Sequence, residues 1–166
     1  WAVWFCDFGR YQNPLPESTS EFVSDSNVAY RRAALEAVAD AWRDDYHETA
    51  VHWAMSAAGF DLRTTPKVVV WQRRERLGLG EALRERFVWA RSFAGTRAGL
   101  VPGGTRWKFA ALSPGLPLLM TGRLFALAQQ RKKHLGTFLR VLPLVLLLQT
   151  AWACGEFVGW PISISM

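Results

Sequence analysis

Residues 138–160 read FLRVLPLVLLLQTAWACGEFVGW, and no charged residue lies between Arg140 and Glu156. These fifteen uncharged residues, with the apolar residues on either side, approach the length of about 20 that a helix needs to cross a bilayer. The segment 142–148 offers no polar face to water, so a core helix of a soluble domain is the weaker alternative. We therefore predict a transmembrane helix and a truncated tail in residues 135–166.

Basic and aromatic residues flank this helix. Three bases at 131–133 and Arg140 precede the uncharged stretch, and basic residues of this kind favour the cytoplasmic side of a membrane. Trp152 and Trp160 fit a belt of aromatic residues at a membrane interface. The sequence thus predicts a membrane protein whose basic part faces the cytoplasm.

A second apolar run covers residues 109–122 and contains two prolines. Its fourteen residues are few for a membrane span. If it crossed, Arg106 and Lys108 would lie across the membrane from the bases at 131–133, against the positive-inside tendency. We therefore predict that residues 99–134 form a basic juxtamembrane segment that is interfacial or re-entrant on the cytoplasmic face.

The net charge of +6 is unevenly distributed. Residues 1–62 hold ten acids and four bases, a net charge of −6, while residues 63–166 hold sixteen bases and four acids, a net charge of +12. Next to apolar segments, such bases favour anionic lipid headgroups, at on the order of 1 kcal/mol for each base near the surface. Nucleic acid is not predicted as a partner, because RNA-binding, zinc-finger and basic-zipper motifs are absent from the sequence.

The N-terminal part is predicted to contain strands and a first helix. Residues 1–24 are aromatic and then rich in Pro, Ser and Glu, which predicts one or two strands and a loop. Asn27, or Ser26 before it, could cap a helix that runs to about Trp42, since apolar residues follow at helical spacing. For Asn27, helix capping and substrate contact remain two open interpretations.

Further elements follow at regular intervals. A second helix is predicted to start near residues 46–47, after an N-cap at Asp44 or Asp45, and to end at Gly59 in a left-handed conformation. The β-branched run KVVVW at 67–71 predicts a buried strand. Residues 79–98 carry apolar residues on one face and predict a third helix.

Glu48 is the candidate for chemistry in this part of the chain. It falls in the first turn of the second predicted helix, where exposed amide groups and the helix dipole favour a negative charge. His52 lies four residues later and is predicted to share the same face. Acids in a first helical turn are also ordinary stabilising features, so a structural role stays open. The order His47, Glu48, His52 is not a known zinc spacing, and no metal site is predicted in this chain.

Motifs around Glu48 resemble a known family. The stretch SDSNVAYRR matches the end of a G-x-N-x-A-x-R-R pattern through Asn27, Ala29, Arg31 and Arg32. His47 and Glu48 fall where that pattern is followed by an acidic pair opening a helix, and Gly59 stands eleven residues after Glu48. The segment from Pro66 to Gln72 is similar to P-x-x-V-x-x-H, with Gln72 in the place of the His.

These motifs are similar to those in the second half of a family 2 glycosyltransferase, an inverting enzyme with an α/β nucleotide-sugar-binding fold. The later segments RFVWARSFAGTR and AWACGEFVGW resemble membrane-attached bacterial members. The resemblance implies an α/β fold in which residues 1–98 are the C-terminal, acceptor-side part of the catalytic domain. An interfacial segment and a C-terminal transmembrane helix would follow.

The resemblance also implies an activity. A sugar would pass from a nucleotide-sugar donor to an acceptor hydroxyl, lipid-linked or on a polysaccharide, with inversion and at the cytoplasmic membrane face. Glu48 would be the catalytic base. Substrate would be bound by Asn27, Arg31, Arg32, His47 and Gln72. A divalent cation, Mg²⁺ or Mn²⁺, would be held mostly by ligands outside this chain, because the D-x-D signature does not occur in it. The fragment alone would be inactive without the nucleotide-binding half.

Two further interpretations remain open at this stage. In the first, the chain belongs to a non-catalytic, membrane-anchored subunit that binds anionic lipid or a protein partner through its arginine-rich helix. In the second, the chain is a nucleic-acid-binding domain, the weaker of the two because the known motifs of that class are absent from the sequence. For single residues, the alternative interpretation makes Arg31 and Arg32 a solvated helix face, and Trp42 and Trp53 core residues that do not stack on a sugar.

Overall fold

The computed structural model describes residues 1–44, 46–71, 77–99 and 101–161, with only the backbone at residue 25. It is 69% helical with 4% strand, and the sheet found in these ranges has two strands. The predicted α/β fold is therefore wrong for this chain, because two short antiparallel strands cannot form the parallel sheet of a nucleotide-binding domain. The chain divides into two compact units, residues 11–73 and residues 1–10 with 74–166.

The unit of residues 11–73, here called the mixed unit, combines the two strands with two short helices. Strand β1 (Ser18–Ser20) pairs antiparallel with β2 (Leu62–Thr64). Helices α2 (Arg32–Ala37) and α3 (Glu48–Ala57) cover a small apolar core. That core consists of Val23, Ala34, Val38, Val51, Met55 and Leu62.

The first helix of this unit begins later than predicted. Asp25–Asn27 is a single 3-10 turn, Val28 is extended, and α2 starts only at Arg32. The hydroxyl oxygens of Ser24 and Ser26 lie 2.8 Å apart and bond to each other. Asn27 therefore ends a turn and is not the N-cap of a helix, so its predicted capping role is wrong.

The predicted strand at 67–71 is also wrong. Val68, Val69 and Val70 are 59%, 50% and 53% exposed, and Trp71 is 93% exposed. The described part of the segment carries no strand pairing, since β1 is already paired with Leu62–Thr64. A β-branched run forms a strand only when a neighbouring strand pairs with it, even if its β-propensity is high. Within residues 1–24, the aromatic start forms helix α1 (Ala2–Phe8) instead of a strand, and the strand found there is β1, which lies in the segment predicted as a loop.

Helix α3 ends as its glycine predicts. Gly59 has φ +80°, a conformation that glycine adopts without steric cost. The Gly59 amide donates to the Ser56 carbonyl at 3.0 Å, and the Phe60 amide donates to the Met55 carbonyl at 2.9 Å. This pair of bonds is a Schellman motif. The left-handed termination at Gly59 is thus confirmed.

The second unit, here called the helical unit, contains five α-helices in its described residues. They are α1, α4 (Leu79–Ala98), α5 (Gly103–Leu112), α6 (Leu116–Arg131) and α7 (Leu135–Gly159). Helix α7 is central and packs against the other four. The helix predicted over residues 79–98 is confirmed with its bounds as α4.

Helices α4 and α7 touch through their backbones. A Cβ at Gly155 would lie 2.8 Å from that of Ala90, and a Cβ at Gly159 would lie 2.8 Å from that of Ala94. Both residue numbers rise together along the contact, so the two helices run parallel. Small residues four apart let helices approach this closely. We call this contact the α4–α7 seam.

Helices α6 and α7 form an antiparallel pair. The turn between them uses two left-handed residues, Lys132 with φ 51° and His134 with φ 58°. Phe138 of α7 is fully buried and lies against Phe125 of α6 and Phe5 of α1, at ring distances of 6.2 and 5.0 Å.

Two helical segments are long and apolar enough to cross a membrane, Gly103–Arg131 and Leu135–Gly159. The first comprises α5, a 3-10 turn at Ser113–Gly115 and α6. Only 17% and 33% of their most apolar windows are buried. Large apolar side chains therefore remain on the surface, among them Leu112, Leu118, Leu119, Leu139, Leu144, Leu147, Phe157 and Val158. We call these two segments together the apolar hairpin.

Candidate functional site

Glu48 is the first residue of α3 and is half-buried. The N-cap is His47, in an extended conformation with φ −124° and ψ 111°, where the sequence predicts Asp44 or Asp45. The His47 side chain makes no capping hydrogen bond. The amide N–H groups of the first turn therefore present the positive end of the helix dipole here. A carboxylate at Glu48 lies where that dipole stabilises its ionised form.

His52 connects α3 to the predicted arginine motif. It lies one turn after Glu48, is fully buried, and its ring Nε2 is 2.7 Å from the hydroxyl oxygen of Tyr30. Tyr30 directly precedes Arg31 and Arg32. The hydrogen bond therefore holds the start of the arginine pair beside α3. Spacing alone did not reveal this contact, since the partners are 22 residues apart.

Asn27 links the same motif to a third stretch of sequence. Its side-chain amide donates to the carbonyl oxygen of Val68 at 3.4 Å, across 41 residues. Val68 belongs to the segment that leads to Gln72. Gln72, a predicted substrate-binding residue, lies outside the described residues. The amide of Asn27 thus organises the backbone here, and the side chain itself is exposed.

Arg31 and Arg32 mark the start of α2. Arg31 is the N-cap, with its carbonyl accepting the amides of Ala34 and Leu35 at 3.0 and 3.1 Å, and Arg32 is the first helical residue. Both side chains are exposed. Two adjacent guanidinium groups in solvent can bind the oxygens of a phosphate group.

The two candidate tryptophans both lie half-buried in the mixed unit. Trp42 is half-buried, its indole N–H donates to the carbonyl of Leu35 at 2.8 Å, and it packs on the core of the mixed unit. Trp42 is therefore a core residue, as the alternative to sugar stacking predicted. Trp53 is also half-buried and lies edge-on to Phe22 at 6.4 Å.

The divalent cation that the resemblance implies does not fit the described residues. No group of three or more His, Cys, Asp or Glu side chains within them could hold a metal ion. Glu48 and His47 alone offer too few ligands for a protein-held cation. The chemistry available within the described residues is that of the Glu48 carboxylate, with the exposed guanidinium groups of Arg31 and Arg32 in the same unit.

A second polar constellation lies in the helical unit, and sequence reasoning missed it. Glu156 accepts the indole N–H of Trp152 at 2.9 Å and of Trp160 at 3.1 Å, one helical turn to each side. Arg97 of α4 lies 3.7 Å from the same carboxylate, and its guanidinium is 4.6 Å from the Trp160 ring. Burial lowers the pKa of Arg97, and the charge of Glu156 opposes that shift. In the sequence, the spacing Trp-x-x-x-Glu-x-x-x-Trp was the signal that indicated this cluster.

This constellation changes the interpretation of Trp160. Its side chain is only 1% exposed and stacks on Phe109 of α5 at 4.7 Å. It therefore joins helices α5 and α7 and does not belong to an interfacial belt. Trp152 is half-buried and lies 5.9 Å from Phe93 of α4.

A buried ion pair joins α1 to α4. Arg86 pairs with Asp7, with side chains 7% and 11% exposed. Burial raises the pKa of the adjacent Cys6 thiol to about 11, an effect that Arg86 opposes. A thiol of this kind stays protonated and reacts slowly near neutral pH.

Comparisons with protein-family models, with curated proteins and with solved structures find no match to this chain. The assignment of a function therefore rests on the residues and contacts described above.

Proposed function

We propose that this chain is the acceptor-side, membrane-attached part of an inverting glycosyltransferase. The observation that carries the proposal is the pair of hydrogen bonds Tyr30–His52 and Asn27–Val68. They connect three stretches, 27–32, 48–59 and 66–68, which the sequence resemblance names as one site. The first bond links the stretch 27–32 to helix α3, the second links the same stretch to residues 66–68, and these links support a common role.

In this role, Glu48 acts as the general base. An acceptor hydroxyl is too weak an acid to ionise unaided, so a carboxylate within hydrogen-bond reach takes its proton while the oxygen attacks the anomeric carbon. The bond from that carbon to the nucleotide diphosphate breaks, and the diphosphate leaves with its electron pair. The position of Glu48 at the start of α3 favours the ionised form that a base requires.

Arg31 and Arg32 have a complementary role in the proposal. Charge develops on the diphosphate as it leaves, and cationic donors placed near it lower the barrier. The two exposed guanidinium groups supply that charge or bind a phosphate on the acceptor. His47 at the N-cap and Gln72 complete the set of substrate-binding residues that we propose.

Membrane attachment is assigned to the apolar hairpin. Leucines at 118, 119, 139, 144 and 147 are exposed, which water does not favour, and large exposed apolar patches mark membrane or protein contacts. The basic residues around it favour anionic headgroups on the cytoplasmic side. A lipid-linked or polysaccharide acceptor would meet the donor there.

Turnover by the natural full-length protein tests the role of Glu48. The protein is incubated with nucleotide-sugars and membrane acceptors, and the Glu48→Gln variant is compared with Glu36→Gln, an exposed glutamate of the neighbouring helix α2. We expect Glu48→Gln to lower kcat about 10²- to 10⁴-fold, the range for loss of a general base, with donor binding retained. Equal turnover in the Glu48→Gln and Glu36→Gln variants would exclude Glu48 as the base.

The second candidate is a non-catalytic, membrane-anchored subunit, which the exposed apolar surface favours independently of Glu48. It predicts membrane binding with no sugar transfer by the full-length protein. Binding of nucleotide-sugars separates the two. Saturable donor binding supports the enzyme, and its absence together with absent turnover supports the anchored subunit.

A further inference from the structure

Basic residues lie at both ends of the apolar hairpin. Arg106 and Lys108 are near the start of α5, and the bases at 131–133 are at the turn between α6 and α7. Because Gly103–Arg131 is one long helical segment, these two groups are at opposite ends of it. A hairpin that crossed the bilayer would place one group on each side, against the tendency of bases to stay on one side.

The charge-free stretch within each helical segment is shorter than the segment itself. Fourteen residues separate Lys108 from Arg123, and fifteen separate Arg140 from Glu156. At 1.5 Å per residue these stretches are about 21 and 22 Å long. The hydrocarbon core of a bilayer is about 30 Å thick. Although both helical segments are long enough to cross a membrane, the charge-free part of each therefore covers less than the full thickness of the hydrocarbon core.

Helix α4 adds an independent constraint. It runs parallel to the second half of α7 along the α4–α7 seam, and Ala82 at its start joins the same core cluster as Val145 and Leu148. The outward side of α4 exposes Glu81, Arg84 and Arg91. If residues 141–155 of α7 filled the hydrocarbon, these charges would be held beside them at the same depth, which is costly.

The turn end of the hairpin has the composition of a membrane interface. The ring of His134 lies 4.9 Å from that of Trp1 and 5.8 Å from that of Trp4. Trp1 is 59% exposed, and Lys132 and Lys133, which precede His134 in the turn, are also exposed. Indole rings and basic side chains together favour the headgroup layer.

We infer that the apolar hairpin inserts into a single leaflet of an anionic bilayer, with both of its ends on the cytoplasmic side. Exposed leucines of α6 and α7 enter the acyl chains, while the charged side of α4 and the bases at both hairpin ends stay among the headgroups. Charge complementarity selects anionic phospholipid as the partner. The inference rests on the proposed membrane attachment and adds its topology.

Cysteine accessibility in the full-length protein tests this topology. Single cysteines are introduced by Lys108→Cys and Lys133→Cys, one near each end of the hairpin, with exposed Cys154 changed to alanine. Cys6 remains, because its raised pKa makes it slow to react. An impermeant maleimide is applied to sealed inside-out and right-side-out membrane vesicles, and detergent-solubilised samples give full labelling.

We expect both cysteines to be labelled in inside-out vesicles and neither in right-side-out vesicles. Labelling of one site in each preparation would overturn the inference and show a crossing. Gly104→Cys and Gly136→Cys repeat the test, since a Cβ at either glycine meets no atom within 4 Å. Recovery of the protein in the soluble fraction would refute membrane attachment itself, which is a distinct result.

Discussion

Single residues hold the helical unit together through ion pairs that lie inside it. Arg86 pairs with Asp7, and Arg97 pairs with Glu156, with all four side chains at most 25% exposed. By contrast, the pair Lys67–Glu17 of the mixed unit lies on the surface at 80% and 58% exposure. Surface pairs contribute little, but loss of one partner from a buried pair leaves a charge without compensation.

Arg86→Met should lower the free energy of unfolding by about 3 kcal/mol, because it removes a cation that pairs with buried Asp7. The double variant Asp7→Leu with Arg86→Met should recover most of that loss, since neither charge remains. Chemical unfolding in detergent micelles measures both. Arg84→Met, at an exposed position of the same helix, is the control and should change stability by less than about 0.5 kcal/mol. Equal effects at Arg84 and Arg86 would contradict a role for the buried pair.

Among secondary-structure elements, the α4–α7 seam is the contact most sensitive to side-chain size. A Cβ at Gly155 would also approach the Phe87 carbonyl oxygen, and one at Gly159 would approach the Arg91 carbonyl oxygen. Backbone atoms cannot move aside as a flexible side chain can. The close approach of α4 to α7 therefore requires glycine at both positions.

Gly155→Ala should lower the free energy of unfolding by about 1–3 kcal/mol, the usual effect of an overpacked contact. Gly136→Ala, in the same helix with open space around its Cβ position, should be neutral or stabilising by up to about 1 kcal/mol because alanine favours a helix. Thermal unfolding of both variants in the same detergent gives the comparison. A stability of Gly155→Ala equal to that of the parent protein would show that the seam is looser than described.

Elements determined by local signals could be predicted from the sequence. Helix α4 follows from its apolar periodicity, and the end of α3 follows from a glycine that can adopt positive φ. The strand predicted at 67–71 fails because strand formation depends on a partner elsewhere in the chain, and Leu62–Thr64 has that partner. The same reason applies to the α/β fold, which depends on several such pairings.

The candidate site likewise has a part that local sequence predicts and a part that depends on tertiary contacts. The place of Glu48 in the first turn of a helix was predictable, because it depends on neighbouring residues. The contacts Tyr30–His52 and Asn27–Val68 span 22 and 41 residues and depend on tertiary packing. In the Glu156 cluster the tryptophans lie at i−4 and i+4, but Arg97 comes from another helix, so the complete cluster depends on the packing of α4 against α7.

The whole molecule combines two units of different character. The mixed unit carries the carboxylate and the arginine pair, and the helical unit carries the apolar hairpin. Chemistry on a membrane-bound acceptor requires both functions in one protein, which is why membrane attachment is central to the proposed function. Membrane binding should therefore depend more on the exposed apolar residues of the apolar hairpin than on equally exposed apolar residues elsewhere.

The most direct measurement is flotation of the full-length protein with vesicles that contain anionic phospholipid. We expect the parent protein to float with the vesicles, and the double variant Leu119→Glu with Leu147→Glu to float at least about tenfold less, since charges oppose insertion into hydrocarbon. Val69→Glu, at a comparably exposed apolar position of the mixed unit, should float like the parent. A parent protein that stays in the dense fraction, or an equal loss in the Val69→Glu control, would contradict membrane attachment through the apolar hairpin.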